Sequence, residues 1–273
     1  MSREVEKLDD IIVVKIGTTT MFRHEQGREL LDFAAFRRIG QQVLNLKDHG
    51  YNVAMVSSGA VTAGMQATGT TVRPKGDEAM PETQRLATIG WHRVLDRWEK
   101  AFDGVNVGGL LITRRELNLE TPEHDEVLRT THTLLSHGDV PVLNENDGIT
   151  HAELSHQSFG QNDTLAAIYA AQIAGSELFG KNVRLVLLSD VDGVYSDTED
   201  QTSIIREISN VSEYEHIAGN SNGGHGKGGM KTKFEAARIA TEAGVDMWVA
   251  NGQTEDAIQL ALLGEIGTHF LHS

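Results

Sequence analysis

The chain has 273 residues, 39% of them hydrophobic and 23% charged, which suits one large α/β unit of an ordinary soluble globular protein. Its 39 acidic against 24 basic residues leave a formal charge of −15, a field that disfavours nucleic acid and anionic membrane as partners. The lack of cysteine excludes disulfides and thiolate metal sites, and the sequence has neither a signal-peptide core nor an apolar run of membrane-spanning length, so a cytoplasmic protein is expected.

Ile11-Ile12-Val13-Val14 is a β-branched run that predicts a first strand, broken by Lys15-Ile16-Gly17-Thr18-Thr19-Thr20. Phe33, Phe36, Ile39, Val43 and Leu46 recur at helical spacing, and Gly50 is placed to end that helix. Val53 to Val56 predicts a second strand, running into Ser57-Ser58-Gly59-Ala60. Gly69 to Thr83 holds two of the four prolines and predicts a surface excursion; a helix from Gln84 to Phe102 follows, with Trp91 and Trp98 on its core stripe. Val107 to Ile112 is a third strand, and Val140 to Leu143 a fourth that leads into Asn144-Glu145-Asn146-Asp147-Gly148. The fifth, Leu185 to Leu188, ends in Ser189-Asp190-Val191-Asp192-Gly193, and the sixth, Met247 to Ala250, in Asn251-Gly252.

Strands alternating with helices predict an α/β fold, a mostly parallel open sheet covered by helices on both faces. No repeat, low-complexity tract or linker divides the chain, so a single domain over 1–273 is expected. In open parallel sheets, ligands bind beyond the carboxyl ends of the strands. Lys15, Gly17, Ser58, Gly59, Asn144, Asp147, Ser189 and Asp190 would therefore face one crevice. Capping preferences account for the glycines, serines and amides, but not for a lysine directly after the first strand.

Gly226-Lys227-Gly228-Gly229-Met230-Lys231-Thr232-Lys233 sets three lysines among glycines, just ahead of the helix-like stretch Phe234 to Ala240. Glycines admit a ligand close to the backbone, and a helix N-terminus adds partial positive charge, so this segment predicts a polyphosphate cradle. Gly224 to Gly229 satisfies G-x-G-x-x-G, but Glu213 to Asn222 before it reads as a polar loop, not the strand a dinucleotide fingerprint needs. The Walker pattern fails because Gly228 stands where a hydroxyl is required.

Val14-Lys15-Ile16-Gly17-Thr18, Ser58-Gly59-Ala60, Asn144-Glu145-Asn146-Asp147, Asn162-Asp163-Thr164-Leu165-Ala166-Ala167, Ser189 to Tyr195 and Gly228-Gly229-Met230-Lys231-Thr232-Lys233 together resemble the amino-acid kinase family. Within it, the resemblance points to the branch that makes γ-glutamyl phosphate from L-glutamate and ATP for proline synthesis. It implies an acceptor-binding part over roughly 1–175 and a nucleotide-binding part over roughly 176–273. It implies catalytic roles for Lys15 and Lys233, contacting the transferring phosphoryl group from opposite sides, and for Asp163, orienting both. Gly17, Ser189, Asp190 and the segment Lys227, Gly228, Gly229, Met230, Lys231, Thr232 and Lys233 fall at the nucleotide; Ser58, Gly59, Asn144, Asp147, Gln161 and Asn162 fall at the acceptor. The cofactor implied is Mg²⁺ carried by ATP with no metal ligand from the protein, and the assembly implied is a homo-oligomer of two or four copies. Other members act on different small carboxylates, and some bind nucleotide without catalysis.

Three departures stand out. The family's Gly-Asp-Asn-Asp is here Gly160-Gln161-Asn162-Asp163, which removes an acidic partner for an acceptor ammonium. Asp197-Thr198-Glu199 lacks a customary proline, and the RNA-modification-like C-terminal domain of many relatives is not expected after Ser273. Twelve histidines invite a metal reading, but His132, His137, His151 and His156 are better explained as capping or solvated side chains.

Overall fold

The computed structural model describes residues 7–25, 27–113, 115–149, 162–197, 200, 202–220 and 227–272. In chain order these form β1 (Ile11–Ile16), α1 (Thr18–Met21), a hairpin of β2 (Phe22–Glu25) and β3 (Arg28–Leu31), α2 (Phe33–Asp48), β4 (Asn52–Ser57) and α3 (Ala60–Thr68). A 3₁₀ turn at Asp77–Ala79 leads into α4 (Met80–Ala101), then β5 (Val107–Ile112), α5 (Pro122–Ser136), β6 (Val140–Glu145) and α6 (Asn162–Gly175). The remainder is β7 (Val183–Ser189), β8 (Val194–Tyr195), β9 (Ile204–Ile205), β10 (Glu207–Ile208), α7 (Val211–Asn220), α8 (Lys227–Glu242), β11 (Asp246–Asn251), α9 (Ala257–Leu262) and β12 (Thr268–Phe270).

Eight strands form one sheet in the order β10-β12-β11-β7-β1-β4-β6-β5, and every neighbouring pair is parallel except β11 with β12. The expected mostly parallel sheet is present, and all six expected strands lie in it. β1 sits at its centre, between β4 and β7, where the strand order reverses direction. That is the switch point at which such sheets leave a crevice at their carboxyl ends.

Alternation along β1 splits the core into two layers. Ile11 and Val13 pack on one face with α6 and α8; Ile12, Val14 and Ile16 pack on the other with α2, α3 and α4. Lys15 has the parity of Ile11 and Val13, so its side chain leaves the sheet on the α6–α8 side. Those two helices approach closely through Ala166, Ala167 and Ala170 of one and Ala236, Ala237 and Ala240 of the other, all fully buried. On the opposite face Trp98 is also fully buried, with the Phe36 ring centroid 4.4 Å away, and its Nε1 donates to Ser57 Oγ at 2.9 Å. This bond fixes the end of β4, the residue just before Ser58.

Helices α3 and α4 cross without side chains between them at two glycines. A Cβ on Gly90 would stand 1.8 Å from the Ala60 carbonyl oxygen, and one on Gly64 would stand 1.9 Å from that of Leu86. Gly90→Ala is therefore expected to destabilise the fold by about 1–3 kcal/mol, the usual cost of overpacking, and a thermal unfolding comparison with the parent chain checks it.

Several local expectations are corrected. Lys15 lies within β1, not after it, because the β1–β4 and β1–β7 ladders extend through Ile16. Glu213 to Asn220 is helical, part of α7, with Tyr214 and Ile217 packed against the core; the sparse apolar residues had suggested a loop. Residues 221–226, including Gly224 and Gly226, lie outside the described set. The helix after the glycine-lysine segment begins at Lys227, seven residues ahead of Phe234, so its lysines ride on the first turns of α8 and not on a loop. Hairpin β2–β3 and strands β8, β9, β10 and β12 were not anticipated.

Candidate active site

A cleft of about 500 Å³ opens at the carboxyl ends of β1, β4, β6 and β7. Of the residues expected from the sequence, its lining includes Lys15, Gly17, Ser58, Gly59, Asn144 and Asp147, with Asn162, Ser189, Asp190, Gly229 and Lys233. Residues far apart in the chain are brought together because most end or follow a strand of the same sheet, while Asn162 opens α6 and Gly229 and Lys233 lie on the first turns of α8.

The floor of the cleft is an ionic triad. Lys15 Nζ lies 2.6 Å from Asp163 Oδ1, and Lys233 Nζ lies 3.4 Å from Asp163 Oδ2. All three side chains are buried, Asp163 to 1% relative exposure. Three elements converge to make it: β1 through the parity of Lys15, the first turn of α6 through Asp163, and the second turn of α8 through Lys233. A carboxylate in the first turn of a helix also gains from the helix dipole. Burial pushes the Asp163 carboxyl up, but the charges and hydrogen bonds of Lys15 and Lys233 outweigh it and hold it at about 2. The Thr232 hydroxyl lies 3.3 Å from Asp163 Oδ2 and 2.9 Å from the Gly229 carbonyl, which ties the start of α8 to α6.

On one side of the triad, Asn162 Nδ2 donates to Ser58 Oγ at 2.7 Å and to Asn144 Oδ1 at 2.9 Å, locking the ends of β4, β6 and α6 together. Its Oδ1 is buried and has no hydrogen-bond partner among the described residues. Gly59 caps α3 with φ of 101°, and a Cβ there would lie 2.8 Å from Phe22 Cε2, so both conformation and space call for glycine. On the other side, Ser189 Oγ donates to Asp190 Oδ1 at 3.1 Å, and the Gly252 N–H donates to the Ser189 carbonyl at 2.8 Å. Asn251 Nδ2 donates to Asp192 Oδ1 at 2.8 Å, joining the turns after β7 and β11.

Not every expected residue lines the cleft. Met230 packs against the core between sheet and helices, Lys231 is exposed, and the Thr232 hydroxyl contacts Asp163. Lys227 and Gly228 open α8, where the first N–H groups of a helix have no partner within it. Gln161 lies outside the described residues, as do His151 and His156. His137 Nδ1 lies 2.8 Å from the Thr133 carbonyl, a helix-end contact, and His132 meets the Phe179 ring edge-on. Among the described residues no group of three or more His, Asp or Glu is placed to hold a metal ion. The sequence reading missed Glu29, Arg73 and Thr83, which also line the cleft. None of the three had a local signal: Arg28-Glu29-Leu30-Leu31 does not alternate, and Arg73 and Thr83 fall in the irregular stretch.

Residues 10–251 match a family model described as the amino acid kinase family. The chain is 37% identical over 254 residues to the glutamate 5-kinase of Clostridium acetobutylicum, covering 91% of this chain and 89% of that protein. It is 33% identical over 274 residues to that of Clostridium tetani, covering 97% and 96%, and 35% identical over 277 residues to that of Carboxydothermus hydrogenoformans, covering 98% and 69%. Among solved structures, Giardia lamblia carbamate kinase bound to AMP-PNP superposes with a TM-score of 0.63 at 14% identity, covering 99% of this chain and all of that one. UMP kinase from Ureaplasma parvum superposes with a TM-score of 0.60 at 15% identity, covering 97% and 99%. These two likenesses concern the fold.

Proposed function

The chain belongs to the amino acid kinase family, and from that premise we propose that it transfers the terminal phosphoryl group of ATP to the side-chain carboxylate of L-glutamate, giving γ-glutamyl phosphate. The observation that carries this reading is the buried Lys15–Asp163–Lys233 triad on the floor of the cleft. A carboxylate acceptor is already ionised at neutral pH, so no general base is needed. One of its oxygens attacks the γ-phosphorus, the bond to the β–γ bridging oxygen breaks, ADP leaves with the electron pair, and no proton moves. The obstacle is bringing one anion against another while charge spreads over the transferring oxygens, and positioned positive charge lowers it.

Lys15, on the central strand beside Ser58, meets the transferring group from the acceptor side. Lys233, on α8 with Gly229, meets it from the nucleotide side. Asp163 holds both ammonium groups at the same floor. The α8 N-terminus with Ser189 and Asp190 receives the nucleotide, whose Mg²⁺ arrives as part of the substrate. Ser58, Gly59, Asn144, Asp147 and Asn162 receive the acceptor; the open Asn162 Oδ1 complements a ligand N–H, as an amino acid would supply. The relatives named glutamate 5-kinase support the choice of acceptor. A non-catalytic nucleotide binder would have little use for a buried aspartate holding two lysines.

ADP release measured with Mg-ATP and a panel of small carboxylic acids, glutamate first, tests the proposal. Glutamate-dependent release, with the acyl phosphate trapped by hydroxylamine, is the expected result. Background turnover with every carboxylate, while nucleotide still binds, would establish the non-catalytic reading instead. Gln161 favours a second acceptor class within the same chemistry, one whose amine is blocked or absent. If glutamate is the acceptor, Gln161→Asp is expected to add a charge-assisted partner and tighten glutamate by about 1 kcal/mol or more, seen as a lower KM at similar kcat. Weaker glutamate binding in that variant would point to the other acceptor class.

A further inference from the structure

Glu29 and Arg73 line both the cleft and an adjoining recess of about 420 Å³, so they stand on the wall the two share. Glu29 is turned toward the body of the protein, and Arg73, though exposed, is tied to it. On β3, Glu29 has the parity of Leu31, whose side chain packs into the core and whose N–H donates to Gln66 Oε1 of α3 at 2.9 Å. Glu29 therefore faces the body of the protein and is half-buried, while Arg23 and Glu25 on β2 are exposed. Arg73 is anchored from the other side, its Nη1 donating to the buried Thr62 Oγ1 of α3 at 3.0 Å. Among the described residues neither side chain has an ion-pair partner, not even the other.

A carboxylate on the wall of a site where two anions meet repels both of them. Its placement is useful only if a cation comes to it. The two charges also lie on the α3 side of the cleft, with Ser58, Gly59 and Val61, and not among the turns after β7 and β11 that carry Ser189 and Asp190. An acid and a guanidinium, anchored separately and left unjoined on one wall, are the complement of a zwitterion. Resting on the glutamate reading above, we propose that Glu29 and Arg73 clamp the amino-acid end of the acceptor, Glu29 accepting hydrogen bonds from its α-ammonium and Arg73 donating to its α-carboxylate. They are specificity-determining residues; the phosphoryl chemistry lies at the triad.

Three acceptors separate the two contacts: glutamate, glutarate, which lacks the ammonium, and 4-aminobutyrate, which lacks the α-carboxylate. Glu29→Gln is expected to raise the KM for glutamate roughly tenfold to a hundredfold with kcat nearly kept, the effect of one lost charge-assisted bond, while leaving glutarate unchanged. Arg73→Gln is expected to weaken glutamate and glutarate but not 4-aminobutyrate. Glu29→Asp and Arg73→Lys, with unchanged melting temperature, should recover part of each loss. A glutamate KM within about twofold of the parent in either variant, or an equal loss for the analogue that lacks the partner group, overturns the clamp while the glutamate reading stands. If the parent enzyme uses none of the three acceptors although it binds Mg-ATP, the glutamate reading fails and the clamp with it.

Discussion

Asp163→Asn is expected to lower kcat by roughly a thousandfold or more while Mg-ATP affinity is kept or improved. The carboxylate lies 2.6 Å from one ammonium group and 3.4 Å from another, with about 1% of its surface exposed. Asparagine matches its shape but removes the charge that keeps two buried cations side by side. The lysines then repel, and one swings away from the transferring phosphoryl group. The site gains net positive charge, so a polyanionic nucleotide loses nothing in the ground state, and the whole loss falls on the transition state. A kcat within tenfold of the parent would remove Asp163 from its orienting role, whatever the effect on binding.

The same substitution has a pH signature. A carboxyl held at about 2 in the fold, against its ordinary value of 3.8, contributes about 2 kcal/mol of stability. Because the folded value is the lower one, this contribution is fully present above pH 4 or so and is lost as pH falls toward 2. The parent protein should thus be more stable than Asp163→Asn at neutral pH by about that amount or more, since the variant also leaves uncompensated charge buried. The gap should close on acidification, and denaturant titrations at several pH values measure it. A gap that stays constant from pH 7 to pH 2.5 would mean the carboxyl is not held low.

The strand ends were legible because they obey a local rule: a short apolar run, then residues that tolerate tight turns. Val107–Ile112 came out with the limits read from its residues, and Lys15, Ser58, Asn144 and Ser189 met in one crevice as strand order in parallel sheets requires. The hairpin β2–β3 escaped because Phe22-Arg23-His24-Glu25 has no apolar alternation, and its strands are held by each other and by α3. β8, β9 and β10 are two residues each, below the length at which periodicity exists. The pairing of Asp163 with two lysines was open to resemblance but not to pattern. It is set by the parity of Lys15 on one strand and by the depth at which Ala-rich α6 and α8 pack, and no local window contains either fact. Arg73 and Thr83 illustrate the same limit, since a loop and a helix start reach the cleft only once α3 and α4 have crossed at Gly64 and Gly90.

Lys15→Ala and Lys233→Ala are each expected to lower kcat by roughly a hundredfold or more, the scale of one lost transition-state charge contact. They should differ in what else they change. Lys15 rises from β1 beside Gly17, whose Cβ, if present, would lie 3.5 Å from Nζ, and it borders Ser58 on the acceptor side. Its loss should leave nucleotide affinity nearly intact, and affect it much less than the loss of Lys227 or Lys231 at the start of α8. Lys233 also lies 3.4 Å from the Gly229 carbonyl, so its loss should loosen the helix turn proposed to meet the nucleotide and raise the KM for Mg-ATP as well. Arginine should rescue neither, because a planar guanidinium cannot replace a compact ammonium in a buried pocket bounded by Asp163. The double variant should lose less than the product of the single losses, since both lysines share one counter-ion and one phosphoryl group. Near-normal turnover in Lys15→Ala would take it out of the chemistry, and strictly multiplicative losses in the double variant would mean that the two lysines act as separate contacts and not as a unit oriented by Asp163.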